Sequence, residues 1–228
     1  MKFYVIMKKF CLIFISIILL SSCENRDKKI QNAVSQELRG VLCDFESYEP
    51  IKTKVDSAFF SPYIDPEVKD LMYSMVKAMH QLEEAKREYN YALSSIAFWE
   101  IPYSSNYSRQ QIKEAISKRD AAKLNIVNNQ ANLISLIKAL YTRIKEDETS
   151  ENIFSGWFVT QRYRYKTEGG SPSFGDDVFV FNKDITECVF YMSFEDYEAL
   201  ISLVDELLSI PEDEFLKKIE DVNILEVF

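Results

Sequence analysis

The chain has 228 residues, of which 27 are basic and 36 acidic, and its formal net charge at pH 7 is −9. This acidic balance argues against nucleic acid or an anionic lipid surface as a partner, and the 47% hydrophobic content excludes an intrinsically disordered protein. The five glycines and six prolines are few for this length, so we expect long regular elements.

The N-terminal segment has the pattern of an export signal. Lys8 and Lys9 precede an uncharged apolar run from Phe10 to Leu20. A helix that stays in a bilayer needs about 20 apolar residues, and this run is shorter, as in the apolar region of a secretory signal peptide. The sequence therefore predicts export from the cytoplasm.

The end of this apolar run resembles a known cleavage motif. Residues 20–23 read Leu-Ser-Ser-Cys, which resembles the lipobox of bacterial lipoprotein precursors. The resemblance implies that residues 1–22 are a signal peptide and that Cys23 carries a thioether-linked lipid; the alternative is an ordinary signal peptide with a chance cysteine. Because two or more acyl chains anchor a protein stably, residues 23–29 would be a lipidated tether in the cell envelope. The outer membrane is favoured, and the periplasmic or surface face is left open.

Two kinds of periodicity then alternate along the chain. Residues 30–42 have the apolar spacing of a short helix, and residues 48–58, with Pro50 and a two-residue alternation, have that of a half-buried edge strand. After Ile153 the period is two again, and the last element is an amphipathic helix capped at Ser193. The predicted strands of this second part are 157–166, 178–181 and 186–192.

Two long helices are predicted between these parts. Asp65 and Pro66 suit the cap and the first position of a helix that runs to Trp99. Ser108, with Gln111 three residues on, forms a capping box for a second helix that ends in the polar run 146–152. The apolar repeat near 3.5 predicts an antiparallel coiled-coil hairpin, and its polar outer face argues against a membrane hairpin. The apolar residues assigned to the seam include Met79, Leu93, Ile116, Ile126 and Leu140.

The predicted fold class is α+β. A small antiparallel sheet of three to four strands would be flanked by helices on one face, and the helical hairpin would be inserted after the first strand. The predicted organisation is a signal peptide (1–22), a lipidated tether (23–29), an α+β body (30–64 with 148–228) and an inserted hairpin (65–147).

Two segments resemble motifs of small lipoproteins of Bacteroides-like bacteria that have no assigned function. Residues 41–50 resemble a Leu-x-Asp-Pro-x-Ser-Tyr motif, with Phe45 at the position of the proline. Residues 163–184 resemble a hairpin with Tyr-Arg-x-Lys, a glycine, and Asn-Lys-Asp. The resemblance implies an α+β fold and a Gram-negative envelope, and it supplies no catalytic residues.

Two cysteines remain after the leader and the lipidated residue are set aside. Cys43 and Cys188 could form a disulfide, which an extracytoplasmic compartment permits. The alternative is that both are small buried hydrophobic residues.

The strongest candidate for ligand binding is a cationic stripe. Arg162, Arg164 and Lys166 alternate along one face of a predicted strand, where they would bind an anion such as a lipid headgroup or a glycan carboxylate. The alternative is that they pair across the sheet with Asp177 and Glu187. His80 with Glu84 is too little for a metal site. Asp176, Asp177 and Asp184 are interpreted as ordinary residues of hairpin turns.

No nucleophile–base pair or phosphate-binding loop is found, so we expect no catalytic residue, cofactor or metal. The expected function is a non-enzymatic interaction or scaffold module of the envelope. Its partners would be a membrane, through lipid on Cys23, and an envelope protein, through the hairpin, with self-association open and nucleic acid not expected. The alternative is a ligand-binding module that uses the sheet face.

Overall fold

The computed structural model describes residues 26–100, 105–148 and 153–220, so the signal peptide and Cys23 lie outside the described residues. The fold is α+β, as predicted. A helix, α1, covers residues 26–41. The later elements are β1 (Asp44–Phe59), a 3-10 turn (Pro62–Ile64), α2 (Pro66–Trp99), α3 (Asn106–Glu148), β2 (Phe154–Lys166), β3 (Pro172–Asn182), β4 (Cys188–Ser193), α4 (Phe194–Ser209) and α5 (Glu212–Glu220).

The four strands form one antiparallel sheet in the order β1-β2-β3-β4. The first strand lies at an edge, which confirms the prediction from Pro50: an edge strand tolerates a residue without an N–H group. The ladder between β1 and β2 has register shifts on both sides of Pro50. The predicted turn at Asn182 is also present, because the Asn182 side chain accepts a hydrogen bond from the Thr186 N–H at 2.9 Å.

Helices lie on both faces of the sheet, which corrects the prediction of a single covered face. On one face Val34 and Leu38 of α1 join a buried cluster with Val159 and Phe179. On the other face the Tyr197 ring of α4 packs against Phe158 and Phe190. The reason lies in β3, where every residue from Val178 to Phe181 is buried: a continuous apolar run is typical of a strand that is covered on both sides.

The first residues of the two long helices are set by capping hydrogen bonds. Asp65 caps α2 as predicted, since its side chain accepts from the Glu67 N–H at 2.8 Å. The capping prediction for α3 is wrong: the cap is Ser105, whose Oγ accepts from the Ser108 N–H at 3.2 Å. Ser108 therefore belongs to the first turn of the helix rather than preceding it.

Alanines recur among the most deeply buried positions of the hairpin, together with Ile126, which is 1% exposed. Ala78, Ala85 and Ala92 of α2 recur at seven-residue intervals and are at most 4% exposed. On α3, Ala115 and Ala122 follow the same interval and are also buried. Of the predicted seam residues, Ile126 and Leu140 are buried, whereas Met79, Leu93 and Ile116 are exposed. Small side chains let two helix backbones approach closely, and that approach leaves the larger neighbours outside.

The chain divides into two compact units. One contains Met1–Ile64 and Ser150–Ile201, and the other contains Asp65–Thr149 and Ser202–Phe228. In this division the described residues from Ser202 onward group with the hairpin. The Tyr141 and Phe215 rings stack with centroids 3.7 Å apart, and the Tyr141 hydroxyl donates to the carbonyl of Ile210. These contacts attach α5 to α3.

Candidate binding surfaces

The sheet unit has a surface cleft at two of the three predicted cationic residues. Arg164 and Lys166 line a cavity of about 440 Å³ where the β1–β2 pair ends. A volume of this size is in the range of pockets that bind small molecules. The other lining residues are Glu46, Ser47, Glu49, Tyr165 and Pro172. Arg162 is not among them; it lies further along β2, opposite Lys52 and Asp176.

The cleft is built by residues 46–49 at the start of β1 and by the end of β2. Between Asp44 and Glu49 the first strand shifts its register against β2, so the chain bulges outward there. Ser47 holds the bulge, because its Oγ accepts from the Lys166 N–H at 2.7 Å and donates to the Asp44 carbonyl at 2.8 Å. The Phe45 ring stacks on the Tyr48 ring with centroids 5.4 Å apart.

The charges of the cleft are mixed. Arg164 Nη2 lies 2.7 Å from Glu49 Oε2, and the two side chains are 50% and 62% exposed. An exposed pair of this kind contributes at most about 1 kcal/mol, so an anionic ligand can displace the glutamate at small cost. Arg164 thus pairs across the sheet with Glu49 rather than with Asp177 or Glu187, and the pairing leaves the guanidinium accessible.

A buried network of tyrosines supports the cleft from within the sheet unit. The Tyr165 ring, which lines the cleft, contacts the Tyr163 ring with centroids 5.7 Å apart. The Tyr163 hydroxyl donates to Asp177 Oδ2 at 2.8 Å, and the Tyr191 hydroxyl donates to the same oxygen at 3.2 Å. Burial raises the pKa of the Asp177 carboxyl above its ordinary value, although the two phenol donors oppose the shift.

Asp177 is a buried strand residue and not the turn residue that the sequence suggested. It lies inside β3, opposite Gln161 and Ser193, and is 5% exposed. Asp176 is exposed, since successive strand residues point to opposite faces, and Asp184 lies in the turn before β4. The three aspartates thus have separate environments. The sequence signal that was missed is the register of the β2–β3 hairpin, which sets Tyr163 opposite Gly175.

The two described cysteines form no disulfide, so the pairing that the sequence left open is not made. Cys43 is exposed and directly precedes β1 at one edge of the sheet, whereas Cys188 is half-buried and opens β4 at the other edge. Three strand spacings of about 4.8 Å separate those edges, which is well beyond the Cα separation of about 7 Å that a disulfide tolerates. The alternative of two buried thiols also fails at Cys43.

The hairpin unit has a second cavity, of about 360 Å³, which we call the hairpin pocket. Three alanines form part of its lining, and Glu88 and Lys118 contribute opposite charges from the two helices. Tyr91 also lines it and is 71% exposed, the highest fraction of any large hydrophobic residue in the part of the chain that the structure describes. The alanines are Ala92, Ala121 and Ala122.

Further exposed aromatic side chains lie where α2 ends and α3 begins. The Trp99 ring contacts Phe98 at 5.0 Å and Tyr107 at 5.6 Å between centroids. Phe98 and Tyr107 are 62% and 60% exposed. We call Tyr91, Phe98 and Tyr107 the hairpin aromatics.

A carboxyl cluster joins the start of α2 to the end of α3. Arg143 Nε lies 2.6 Å from Asp65 Oδ2, and Arg143 Nη2 lies 3.4 Å from Asp147 Oδ1. Asp147 Oδ2 is buried without a hydrogen-bond donor. Burial and the hydrogen-bonding contact with Asp65 raise the pKa of Asp147 to about 7. A proton on Asp147 would satisfy the buried oxygen, because the acid can then donate to the Asp65 carboxylate.

His80 and Glu84, the pair considered for metal binding, have no third ligand among the described residues. His80 and Glu84 are exposed on α2, and the described residues contain no group of three histidine, cysteine or carboxylate side chains with the geometry to hold a metal ion.

Comparisons of the chain with protein-family models, with curated proteins and with solved structures found no match. Among the residues that the structure describes, no helix is long and apolar enough to cross a membrane.

Proposed function

We propose that this protein is an envelope lipoprotein, anchored through lipid on Cys23, which binds a partner protein through its helical hairpin and catalyses no reaction. The observation that carries the proposal is the exposure of the hairpin aromatics Tyr91, Phe98 and Tyr107. Clustered exposed apolar side chains mark interaction surfaces, and tyrosine and tryptophan are prominent among the residues that dominate binding energy at interfaces.

The alanine seam explains why the hairpin exposes so much apolar surface. Ala78, Ala85 and Ala92 occupy positions that larger residues fill in an ordinary coiled coil. The larger side chains then lie outside, where Val76 is 45% and Met79 is 50% exposed. Burying these side chains against a partner would be favourable by roughly 25 cal/mol for each Å² of apolar surface removed from water.

The anchor and the binding surface can be tested separately. Cys23→Ser should release the mature protein from the membrane fraction, because the lipid would have no attachment point. An intact membrane association in that variant would contradict the lipoprotein assignment.

In-cell crosslinking tests the binding surface. The triple variant Tyr91→Ser, Phe98→Ser, Tyr107→Ser should lose a crosslinked envelope protein that the unchanged chain captures. Phe174→Ser is the matched control, since Phe174 is a 63% exposed aromatic residue on the sheet unit. A partner set that is the same in the triple variant and in the control would refute the proposal.

A second candidate function is favoured by the cleft at Arg164 and Lys166. An anionic ligand such as a glycan carboxylate or a lipid headgroup would displace Glu49 from Arg164. The variant Arg164→Glu, Lys166→Glu should abolish binding in a screen of anionic glycans and headgroups. Arg162→Glu is the control, because Arg162 is exposed on the same strand and outside the cleft. Equal loss in both variants would point to a general charge effect and not to a site.

A further inference from the structure

The hairpin pocket combines a cavity with a protruding ring on the same surface. Ala92, Ala121 and Ala122 leave about 360 Å³ open, and the 71% exposed Tyr91 side chain stands at the edge of that space. A pocket of this volume is large enough for a group of ligand size, and an aromatic ring is the side chain that gains most from entering one. The surface therefore carries both a knob and a hole.

The charges on the pocket edges are opposite in sign. Glu88 is contributed by α2 and Lys118 by α3. A partner with a single sign of charge would be attracted at one edge and repelled at the other. A surface that presents the same two charges in the same arrangement meets both edges favourably.

We propose that the occupant of the hairpin pocket is a second copy of this chain, related by a two-fold axis. Tyr91 of each copy enters the pocket of the other, and Glu88 of each copy faces Lys118 of its partner. A two-fold interface uses one patch twice and requires that patch to be complementary to itself, which the knob, the hole and the paired charges satisfy. The inference rests on the proposed function, since it names the partner that the hairpin binds.

Charge reversal tests the pairing with the full chain in detergent. Analytical ultracentrifugation of the unchanged protein should give a monomer–dimer equilibrium. Glu88→Lys alone and Lys118→Glu alone each place like charges at both edges, so each should weaken the dimer by at least about tenfold. The double variant Glu88→Lys, Lys118→Glu should return the dissociation constant to within about threefold of its original value, because it restores both pairs.

Two further variants separate the pocket from general surface charge and from misfolding. Ala121→Phe fills the cavity from an exposed position and should also abolish the dimer, with circular dichroism verifying that the helices persist. Glu83→Lys is the charge control, since Glu83 is exposed on α2 and does not line the pocket. It should leave the dimer unchanged.

The outcomes distinguish this inference from the proposed function. A protein that is monomeric at every concentration, or a dimer that the single reversals weaken and the double variant does not rescue, overturns the two-fold pairing. A monomer that still loses an envelope partner when the hairpin aromatics are replaced leaves the proposed function standing. A dimer that persists in Ala121→Phe, together with an unchanged partner set in the triple aromatic variant, overturns both.

Discussion

The ring of Tyr163 lies directly over Gly175 on the neighbouring strand. A Cβ atom at position 175 would be 2.2 Å from Tyr163 Cζ and 2.4 Å from its hydroxyl oxygen. The missing side chain thus lets the phenol extend along β3 and reach Asp177 two residues further on. The glycine, the tyrosine and the aspartate form one arrangement that no single strand could define alone.

Replacing this glycine should displace the tyrosine. Gly175→Ala is expected to lower the free energy of unfolding by about 1–3 kcal/mol, because the added methyl group occupies the space of the ring. Chemical denaturation followed by circular dichroism measures the change. Gly169→Ala is the control, since the nearest atom to a Cβ there is 4.0 Å away; a similar loss in both variants would argue against the close contact.

The Tyr163 hydroxyl should contribute to stability through Asp177. Tyr163→Phe removes the shorter of two phenol hydrogen bonds to a buried carboxyl, which should cost about 1–3 kcal/mol at neutral pH. The loss should shrink on acidification, since loss of that donor raises the pKa of Asp177 further and a protonated carboxyl depends less on hydrogen-bond donors than a carboxylate does. Tyr191→Phe, with the longer bond, should have the smaller effect in the same titration of thermal stability.

Asp147 should make the stability of the hairpin depend on pH. Its pKa in the folded protein is raised to about 7 from an ordinary value of 3.8, so between these values the folded state holds a proton that the unfolded state has lost. The free energy of unfolding from this group is therefore highest below pH 3.8 and falls as the pH rises towards 7.

An amide at this position tests the origin of that dependence. Asp147→Asn mimics the protonated acid and should raise the melting temperature at pH 7.5 relative to the unchanged protein, with a smaller gain at pH 5. Asp120→Asn is the control, because Asp120 is an exposed residue of the same helix. A melting temperature that is unchanged or lowered at pH 7.5 would show that burial does not disfavour the charged form of Asp147.

The alanine seam should tolerate no larger side chain. Ala85→Leu is expected to destabilise the hairpin by about 1–3 kcal/mol, because the residue is 4% exposed between two closely packed helices. Met79→Ala, at a position that is 50% exposed, should change the free energy of unfolding by no more than about 0.5 kcal/mol. The reverse order in thermal denaturation would mean that the larger residues form the seam.

Local patterns in the sequence determined most of the elements. Asp65 and Pro66 start α2 through a cap and a preset backbone angle, and Pro50 marks an edge strand, since these effects act within a few residues of the chain. The two-residue period after Ile153 likewise identified β2. The sequence also supplies the only basis for the signal peptide and for lipid on Cys23, which remain predictions.

The tertiary structure decided what depends on residues that are distant in the chain. The burial of Asp177 follows from the register that sets Tyr163 against Gly175, and the choice of Ala85 over Met79 for the seam follows from how closely α2 approaches α3. Periodicity shows that a helix or strand has an apolar face, but it does not state which neighbour covers that face or at what distance. For the same reason only the folded chain separates Arg162 from the cleft that Arg164 and Lys166 line.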